Sequence, residues 1–454
     1  MSAGEAAKQA AAEARTLFGT DGVRGVAGEL LTAELALRLG SAATLEVGGK
    51  RPRVLVIRDT RESGEMLESA LAAGIAAAGG DVLLGGVLST PAAPLLVARH
   101  KLELAAVISA SHNSFEDNGI KFFGADSFKL SDATEAAIEA RLAAGLDRAP
   151  SPIGSIRALH GTLEDYLRAL RERFAQLDLS GQRVVLDCAN GATYRAAPEI
   201  FRRLGATVTV LADAPDGRNI NDGCGSTHID GLVAVVRDGG HDIGFAFDGD
   251  GDRMLAVDRS GEVVDGDELI ALAALHLRSR DRLPGNGVVV TVMTNYGFHT
   301  AMREVGIDVV TTQVGDRYVL EALLERGWAL GGEQSGHIID MGFVASGDGI
   351  ATALLTLQAL AGRDLVERDV MRKLPQRLVN VRVADREAAM AGPQLPAATD
   401  REAAALQGRG RVLVRPSGTE QLVRVMVEAP SVEETDAVCA RLVAAVESVA
   451  GAAR

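Results

Sequence analysis

Three aspartates separated by single glycines form the most specific chemical pattern in the sequence. They lie in FDGDGDR (247–253), directly after the apolar run DIGFAF (242–247). Glycine lets the backbone fold back, and the alternate spacing can turn the carboxylates of Asp248, Asp250 and Asp252 toward one hard cation. A solvated turn is the alternative interpretation. The pattern predicts a divalent-metal site at the end of a strand.

A serine-containing turn, SASHN (109–113), ends the apolar run LELAAVIS (102–109). Open α/β sheets bind ligands at the carboxyl ends of parallel strands, so a serine hydroxyl here is well placed to act as a nucleophile. A serine in a tight turn is nevertheless more often a turn or capping residue. From the residues alone, Ser109 and Ser111 remain alternative candidates.

The glycine-rich segment GGEQSGH (331–337) carries polar side chains after a strand-like run. Glu333 can accept hydrogen bonds from ligand hydroxyls, and Ser335 can both donate and accept them. His337 could shuttle protons near neutral pH. Taken alone, the segment is more simply interpreted as an ordinary loop.

A second loop, RPSGTE (415–420), lies between two predicted strands near the C-terminus. An arginine, two hydroxyls and amides exposed by glycine suit a bound phosphate, and Arg424 could add a second positive charge. Because no metal ligands lie nearby in sequence, this segment predicts a binding site rather than a reaction centre.

Single cations occur in two other segments. Arg24 lies in LFGTDGVRG (17–25), and Lys121 ends DNGIK (117–121). Either could stabilise negative charge on a transferring phosphoryl group. We expect Lys129, in contrast, to be an ordinary solvated lysine.

Short apolar strands alternate with helical stretches through most of the chain, which is typical of β/α units and largely parallel sheets. The C-terminal part instead has strand-like runs and one helix that opens with the capping box Ser431–Glu434. The sequence therefore predicts an α/β protein with three similar mixed α/β domains and a smaller C-terminal α+β domain around a central cleft. The predicted domains are 1–160 with the serine loop, 161–262 with the metal loop, 263–375 with the ligand loop and 376–454 with the phosphate loop.

The composition argues against several functional classes. A formal net charge of −14 over 454 residues disfavours non-specific binding to nucleic acid or anionic membranes. We find no apolar run of about 18 residues and no secretory signal at the N-terminus, so we expect no transmembrane helix and no export. Cys188, Cys224 and Cys439 have neither disulfide nor zinc spacing, which suits buried or partly buried side chains in a reducing cytoplasm.

Taken together and in this order, FGTDGVRG, ISASHN, DGDGDR, TTQVGDRYV (311–319) and GGEQSGHI resemble the α-D-phosphohexomutase superfamily, from Phe18 to Arg424. The segments TTQVGDRYV and GEQSGH look most like the bacterial branch that acts on glucosamine phosphates. The resemblance implies a cytoplasmic isomerase that interconverts glucosamine 6-phosphate and glucosamine 1-phosphate, and so supplies UDP-N-acetylglucosamine for peptidoglycan precursors. It also implies a phosphoserine enzyme and glucosamine 1,6-bisphosphate as the intermediate and a candidate activator.

The family register resolves the ambiguity between the two serines. Ser111, immediately before His112, corresponds to the family's phosphoserine. The resemblance implies one Mg²⁺ per chain, bound by Asp248, Asp250, Asp252 and a phosphate oxygen on Ser111.

Two further groups of residues follow from the resemblance. The positions near the reacting groups, with their acid and base roles left open, are Arg24, Lys121 and His337. The substrate would be bound by Arg253, by Glu333 and Ser335 at sugar hydroxyls, and by Arg415, Ser417, Gly418, Thr419 and Arg424 at the non-reacting phosphate.

Two positions depart from the family pattern, because Ser114 and Gln421 stand where proline is common. Both lie at loop edges and replace no reacting group. The alternatives are a mutase for mannose or glucose phosphates, a phosphatase with Asp248 as nucleophile, and a non-catalytic phosphosugar-binding protein. We expect a phosphosugar as substrate, no nucleic-acid or membrane partner, an arrangement compatible with a homodimer, and an activating kinase or autophosphorylation that loads Ser111.

Overall fold

The computed structural model of the chain describes residues 17–19, 21–145, 152–417 and 420–452, without the side chains of 450–452. These residues form four β-sheets with helices packed on them, which confirms the predicted mixed α/β class with a smaller C-terminal domain. They divide into two compact units, one within Met1–Val292 together with Val310–Arg368 and one within Met293–Val309 together with Asp369–Arg454.

The first sheet has six strands in the order β1-β5-β4-β2-β3-β6. Its strands are β1 (Val23–Val26), β2 (Arg53–Arg58), β3 (Asp81–Val87), β4 (Leu104–Ile108), β5 (Asp117–Gly124) and β6 (Ile156–Ala158), and its helices are α1 (Ala33–Val47), α2 (Ser63–Ala77), α3 (Ala92–His100) and α4 (Asp132–Ala144). Strands β2, β3, β4 and β6 are parallel, whereas β5 runs antiparallel to β1 and β4. Every residue of β4 is buried, so the serine turn begins where a central strand ends.

Helices α1 and α2 approach each other closely through small residues. A Cβ atom at Gly74 would lie only 1.9 Å from the carbonyl oxygen of Leu37, and one at Gly40 would lie 2.4 Å from that of Leu71. Only glycine permits this backbone contact, which packs the two helices tightly against each other.

The second sheet has the order β11-β10-β9-β7-β8. Its strands are β7 (Arg183–Asp187), β8 (Thr207–Leu211), β9 (Ile243–Phe247), β10 (Met254–Asp258) and β11 (Val263–Val264), and its helices are α5 (Thr162–Arg173), α6 (Ala196–Arg203) and α7 (Asp230–Asp238). Strands β9 and β10 are antiparallel, with Phe247 opposite Met254. The loop between these two strands carries the three aspartates.

The third sheet has the order β13-β12-β14-β15. Its strands are β12 (Gly287–Thr291), β13 (Asp308–Thr312), β14 (Leu330–Gly332) and β15 (Ile338–Asp340), and this part of the chain contains α8 (Gly266–Ser279), α9 (Tyr296–Glu304), α10 (Asp316–Arg326) and α11 (Gly349–Leu360), with 3₁₀ turns at Pro284–Asn286 and Leu365–Glu367. Strands β14 and β15 are antiparallel, so the segment 333–337 forms the turn between them. Helix α9 belongs to the second compact unit.

The C-terminal sheet is antiparallel in the order β16-β18-β17. It consists of β16 (Gln376–Arg382), β17 (Arg411–Pro416) and β18 (Leu422–Glu428), and its helices are α12 (Arg386–Ala391), α13 (Gln394–Ala405) and α14 (Val432–Ala452). Ser431 Oγ accepts the backbone N–H of Glu434 at 3.2 Å, which is the serine half of the predicted capping box. Val438, Leu442 and Val446 of α14 are buried in the core cluster that also contains residues of the sheet.

Two predictions from composition can be compared with the structure. None of the described helices is long and apolar enough to cross a membrane. Cys188 and Cys439 are buried and Cys224 is partly buried, which confirms the predicted burial of these side chains.

Candidate active site

The serine turn brings one of its two serines to the aspartates. Ser111 is buried, and its Oγ donates a hydrogen bond to Asp248 Oδ2 at 2.6 Å. Its φ angle of 53° lies in the left-handed region, which is uncommon for serine and marks a backbone held by its surroundings. Ser109 Oγ instead donates to Asp59 Oδ2 at 2.5 Å. Geometry therefore separates the two candidates. Of the two serines, Ser111 is the one that contacts an aspartate of the metal loop.

The three aspartates form one buried carboxylate cluster. One oxygen from each of Asp248, Asp250 and Asp252 lies within 4.8 Å of the others. Burial and repulsion from Asp252 and Asp250 raise the pKa of Asp248 well above its ordinary value. Asp250 Oδ1 is buried and has no hydrogen-bond partner among the residues that the structure describes. A divalent cation would relieve both the repulsion and the missing contact, so the predicted ligands fit a metal ion.

Two side chains, Thr90 in the loop between β3 and α3 and Lys121 on β5, hold Asp250. Thr90 Oγ1 donates to Asp250 Oδ2 at 2.5 Å, and Lys121 Nζ lies 2.9 Å from the same oxygen. The Lys121 side chain is only 3% exposed. Burial alone would lower the pKa of Lys121, but Asp21, Asp250 and Asp252 together raise it. Lys121 is therefore a buried cation that contacts the aspartates directly.

The prediction for Lys129 was wrong, because its side chain is largely buried. Lys129 Nζ pairs with both Asp21 and Asp316, and Asp21 also pairs with Arg24 and lies 3.3 Å from Lys121 Nζ. Burial opposes ionisation of Asp21, yet the positive charges of Lys121, Lys129 and Arg24 hold its pKa well below the ordinary value. Asp21 and Asp316 were missed as site residues. The glycine-flanked aspartates of GTDG and VGDR were the signal that could have identified them.

His337 lies beside the cluster with a defined proton position. The backbone N–H of Gly347 donates to Nε2 at 3.1 Å, so a proton belongs on Nδ1, which lies 3.6 Å from Asp252 Oδ1. Burial opposes the charged imidazolium, but Asp252, Asp316 and Glu333 outweigh it and raise the pKa of His337. Nδ1 carries a proton in both the neutral and the charged form.

Arg253 links the metal loop to the serine turn. Its Nη1 donates to His112 Nδ1 at 3.1 Å, and its backbone N–H donates to Asp248 Oδ1 at 3.1 Å. Burial, Arg253 and Arg24 lower the pKa of His112, so this imidazole is neutral and accepts the hydrogen bond. Ser111 Oγ lies 3.4 Å from the same nitrogen.

A cavity of about 400 Å³ opens beside these groups. Its lining includes four predicted residues, namely Arg24, Arg253, Glu333 and His337, together with Asp21, Asp252 and Asp316. Glu333 is held by the backbone N–H of Gly315, which donates to Oε1 at 2.9 Å. Ser335 lies exposed in the same turn as Glu333. The cavity thus combines carboxylates and cations, which suits a ligand that bears both hydroxyl and phosphate groups.

The predicted phosphate loop lies in the second compact unit. Arg415 on β17 is directly opposite Arg424 on β18. Partial burial and repulsion from Arg424 lower the pKa of Arg415, and Arg424 Nε is buried with no hydrogen-bond partner in the part of the chain that is described. Ser417 is buried at the end of β17, and Gly418 and Thr419 lie outside the described residues. Two adjacent, incompletely paired arginines favour binding of an anion such as phosphate.

Comparison with known proteins assigns the chain to a family. Residues 15–148, 164–261, 265–378 and 378–445 match domains I, II, III and the C-terminal domain of the phosphoglucomutase/phosphomannomutase family. The phosphoglucosamine mutase of Moorella thermoacetica is 51% identical over 94% of this chain and 98% of its own length. That of Listeria monocytogenes is 47% identical over 95% of this chain and 98% of its own length.

Solved structures share the fold. A phosphoglucomutase/phosphomannomutase family protein from Burkholderia thailandensis has a TM-score of 0.80 at 24% identity, over 95% of this chain and 97% of its own. The Aspergillus fumigatus N-acetylphosphoglucosamine mutase, solved with GlcNAc-6P and magnesium, has a TM-score of 0.63 at 19% identity, over 99% and 100% of the two chains. The chain therefore belongs to the phosphoglucomutase/phosphomannomutase family of isomerases.

Proposed function

We propose that the chain is a phosphoglucosamine mutase that interconverts glucosamine 6-phosphate and glucosamine 1-phosphate. The observation that carries the proposal is the contact between Ser111 Oγ and Asp248 Oδ2, made in a chain about half identical to curated phosphoglucosamine mutases. A serine held against a carboxylate cluster beside a polar cavity suits reversible transfer of a phosphoryl group.

In the proposed cycle, phosphorylated Ser111 donates its phosphoryl group to O1 of glucosamine 6-phosphate. The bond from phosphorus to Ser111 Oγ breaks, the bond to O1 forms, and the proton of the sugar hydroxyl ends on Ser111 Oγ, which becomes a hydroxyl again. Glucosamine 1,6-bisphosphate then reorients and returns its 6-phosphate to Ser111, so that glucosamine 1-phosphate leaves. Net transfer needs no phosphate from outside once Ser111 is loaded, and the bisphosphate is also a candidate activator.

The basic residues of the site have different roles in this proposal. Arg24 lines the cavity and would stabilise charge on the transferring group, whereas Lys121 would act through the aspartates it contacts. His337 lines the same cavity, and its Nδ1–H would donate a hydrogen bond to the reacting phosphosugar. Arg253 would orient the phosphoryl group, since it already contacts the neighbour of Ser111.

The metal ligands would be Asp248, Asp250, Asp252 and, in the phosphorylated enzyme, a phosphate oxygen on Ser111. We propose one Mg²⁺ per chain, because hard oxygen ligands suit it. When bound, Mg²⁺ would supply positive charge that offsets the negative charge of the phosphoryl oxygens and makes the phosphorus easier to attack. The unsatisfied Asp250 Oδ1 supports this assignment.

Two groups of residues would bind the sugar phosphate away from the reacting bond. Glu333 and Ser335 suit the sugar hydroxyls, since both lie in the turn beside the cavity. The residues proposed to hold the phosphate that is not reacting are Arg415, Ser417, Gly418, Thr419 and Arg424. A separate phosphate site lets either end of the sugar face Ser111.

The remaining biological assignments are part of the same proposal. The four domains would be 1–160, 161–262, 263–375 and 376–454, the enzyme would act in the cytoplasm, and its product would supply UDP-N-acetylglucosamine synthesis. A kinase or autophosphorylation would first load Ser111. The proposal is compatible with a homodimer.

The decisive assay measures turnover of glucosamine, glucose and mannose 6-phosphates in parallel, with Mg²⁺ and a trace of the matching bisphosphate. We expect the highest kcat/KM with glucosamine 6-phosphate. Equal or greater kcat/KM with glucose 6-phosphate or mannose 6-phosphate would favour the phosphoglucomutase/phosphomannomutase activity instead. Binding without turnover of any of the three would favour a phosphosugar-binding protein.

A further inference from the structure

A completely buried arginine binds the backbone of the serine turn. Arg61 Nη2 donates to the carbonyl oxygens of Ser111 at 3.0 Å and Asn113 at 2.9 Å. Its Nη1 donates to the carbonyl oxygens of Asp117 at 3.0 Å and of Ser114. Four carbonyl groups between Ser111 and the first residue of β5 thus point at a single guanidinium, whose planar fork suits several acceptors at once.

The same arginine is part of a chain of hydrogen bonds that reaches the Ser111 amide. Asp59 Oδ2 accepts from Arg61 Nε at 2.8 Å and from the Ser109 hydroxyl at 2.5 Å. Ser109 Oγ in turn accepts the backbone N–H of Ser111 at 3.0 Å. Asp59 and Arg61 are both 0% exposed, so these hydrogen bonds lie in a buried, low-dielectric environment.

A side chain from the segment between β8 and β9 completes the arrangement. Asn221 Nδ2 donates to the carbonyl oxygens of Ser111 at 3.0 Å and Asn113 at 2.9 Å, the same two atoms that Arg61 Nη2 binds. The peptide groups on both sides of Ser111 are therefore fixed, the amide by Ser109 and the carbonyl by Arg61 and Asn221. A left-handed serine persists only where its surroundings determine it in this way.

We propose that Ser109, together with Asp59 and Arg61, is a positioning residue that keeps Ser111 Oγ directed at the metal aspartates. The proposal rests on the proposed function, in which Ser111 alternates between a neutral hydroxyl and an ester carrying roughly −1.5 to −2 charge. Each charge change would pull the turn toward or away from the aspartates. The network holds the backbone in place, so the oxygen occupies one position in both states.

The test separates phosphoryl transfer from substrate binding. Ser109→Ala removes the hydroxyl, and Ser109→Cys keeps the size but replaces it with a weak donor and acceptor. We expect both variants to keep the wild-type thermal midpoint within a few degrees and KM within about twofold. Discharge of phosphorylated Ser111 to glucosamine 6-phosphate in a single turnover should fall about 10- to 100-fold, as for a misplacement near 1 Å.

Two further variants serve as rescue and control. Ser109→Thr restores a hydroxyl and should recover most of the transfer rate. Ser155→Ala removes a comparable hydrogen bond, from Ser155 Oγ to Asp81 Oδ1 at 2.7 Å, far from the serine turn in sequence. This control should transfer phosphate at the wild-type rate.

Each outcome has a distinct meaning. Wild-type transfer rates in both Ser109→Ala and Ser109→Cys would overturn the positioning role, and so would an equal loss in the Ser155→Ala control. Loss of the transfer rate with rescue by Ser109→Thr supports it. If the wild-type protein is inactive with glucosamine 6-phosphate, the proposed function fails. The same variants are then compared by the rate at which glucose 1,6-bisphosphate phosphorylates Ser111, measured as the intact mass of the protein.

Discussion

The Tyr166 hydroxyl lies 2.9 Å from both carboxylate oxygens of Asp348, and both side chains are fully or almost fully buried. Burial raises the pKa of Asp348 to about 7, because the charged carboxylate has lost its hydration. Asp348 also caps α11, since its Oδ1 accepts the backbone N–H of Ala351 at 2.9 Å. The contribution of this carboxyl to stability should therefore depend on pH.

A carboxyl whose folded pKa is raised binds its proton more tightly in the folded than in the unfolded chain. Its stabilising contribution is present at low pH and is lost as pH rises from about 4 to about 7, by roughly 1.4 kcal/mol for each unit of pKa shift at most. Asp348→Asn keeps an acceptor for Ala351 and cannot ionise. Because only the wild-type carboxyl can ionise, we expect the difference in urea midpoint, variant minus wild type, to increase from pH 5 to pH 8. A pH-independent difference would contradict the raised pKa.

Ser111→Ala should abolish mutase turnover while substrate still binds, because it removes the phosphate carrier and leaves the cavity lining in place. A coupled assay would measure turnover, and calorimetry would measure binding of glucosamine 6-phosphate. Ser155→Ala is the matched control and should remain fully active. Turnover by Ser111→Ala above about a thousandth of the wild-type rate would refute the carrier assignment, since loss of a nucleophile costs at least that much.

Mg²⁺ should stabilise the folded protein through the aspartate cluster. A ligand at 100 times its Kd contributes about 2.7 kcal/mol, so a Mg²⁺ titration should raise the thermal midpoint of wild type and EDTA should reverse the rise. Asp250→Asn should abolish this response because it weakens the cluster. Asp242→Asn changes an aspartate outside the cluster and should keep the response. Full Mg²⁺ stabilisation of Asp250→Asn would argue against the metal site.

Arg415→Ala should mainly weaken substrate binding, because the phosphate contact it removes would exist before and after transfer. We expect KM for glucosamine 6-phosphate to rise about 10- to 100-fold with kcat changed less than threefold, as fits one lost charged hydrogen bond of roughly 1.5–3 kcal/mol. Arg377→Ala, which removes another arginine of the same sheet, should leave KM unchanged. An unaltered KM in Arg415→Ala would refute the phosphate site.

The sequence predicted the metal loop well because its chemistry and its geometry are both local. Alternate aspartates after a buried strand need no information from the rest of the chain, and Asp248, Asp250 and Asp252 form the expected cluster. The choice between Ser109 and Ser111 was different. It depends on which hydroxyl meets an aspartate more than a hundred residues away, and the residues alone could not decide it.

The buried contacts of Lys129 and Arg61 could not be predicted from the sequence. Each is an ordinary basic residue in its local context, and its burial depends on loops that meet only in the folded chain. Lys129 lies between Asp21 and Asp316, and Arg61 binds the turn around Ser111. A charged residue is nearly always solvated unless it is paired, and the pairing partners were distant in sequence.

The left-handed φ of 53° at Ser111 limits which hydroxyl amino acid can occupy this position. A threonine has the same nucleophilic oxygen, but its branched Cβ makes a positive φ a genuine outlier. Serine and threonine are therefore chemically equivalent at this position but differ in the backbone conformation that they can adopt. A threonine could carry the ester only by abandoning the backbone shape that directs the oxygen at Asp248, so the fold itself selects serine.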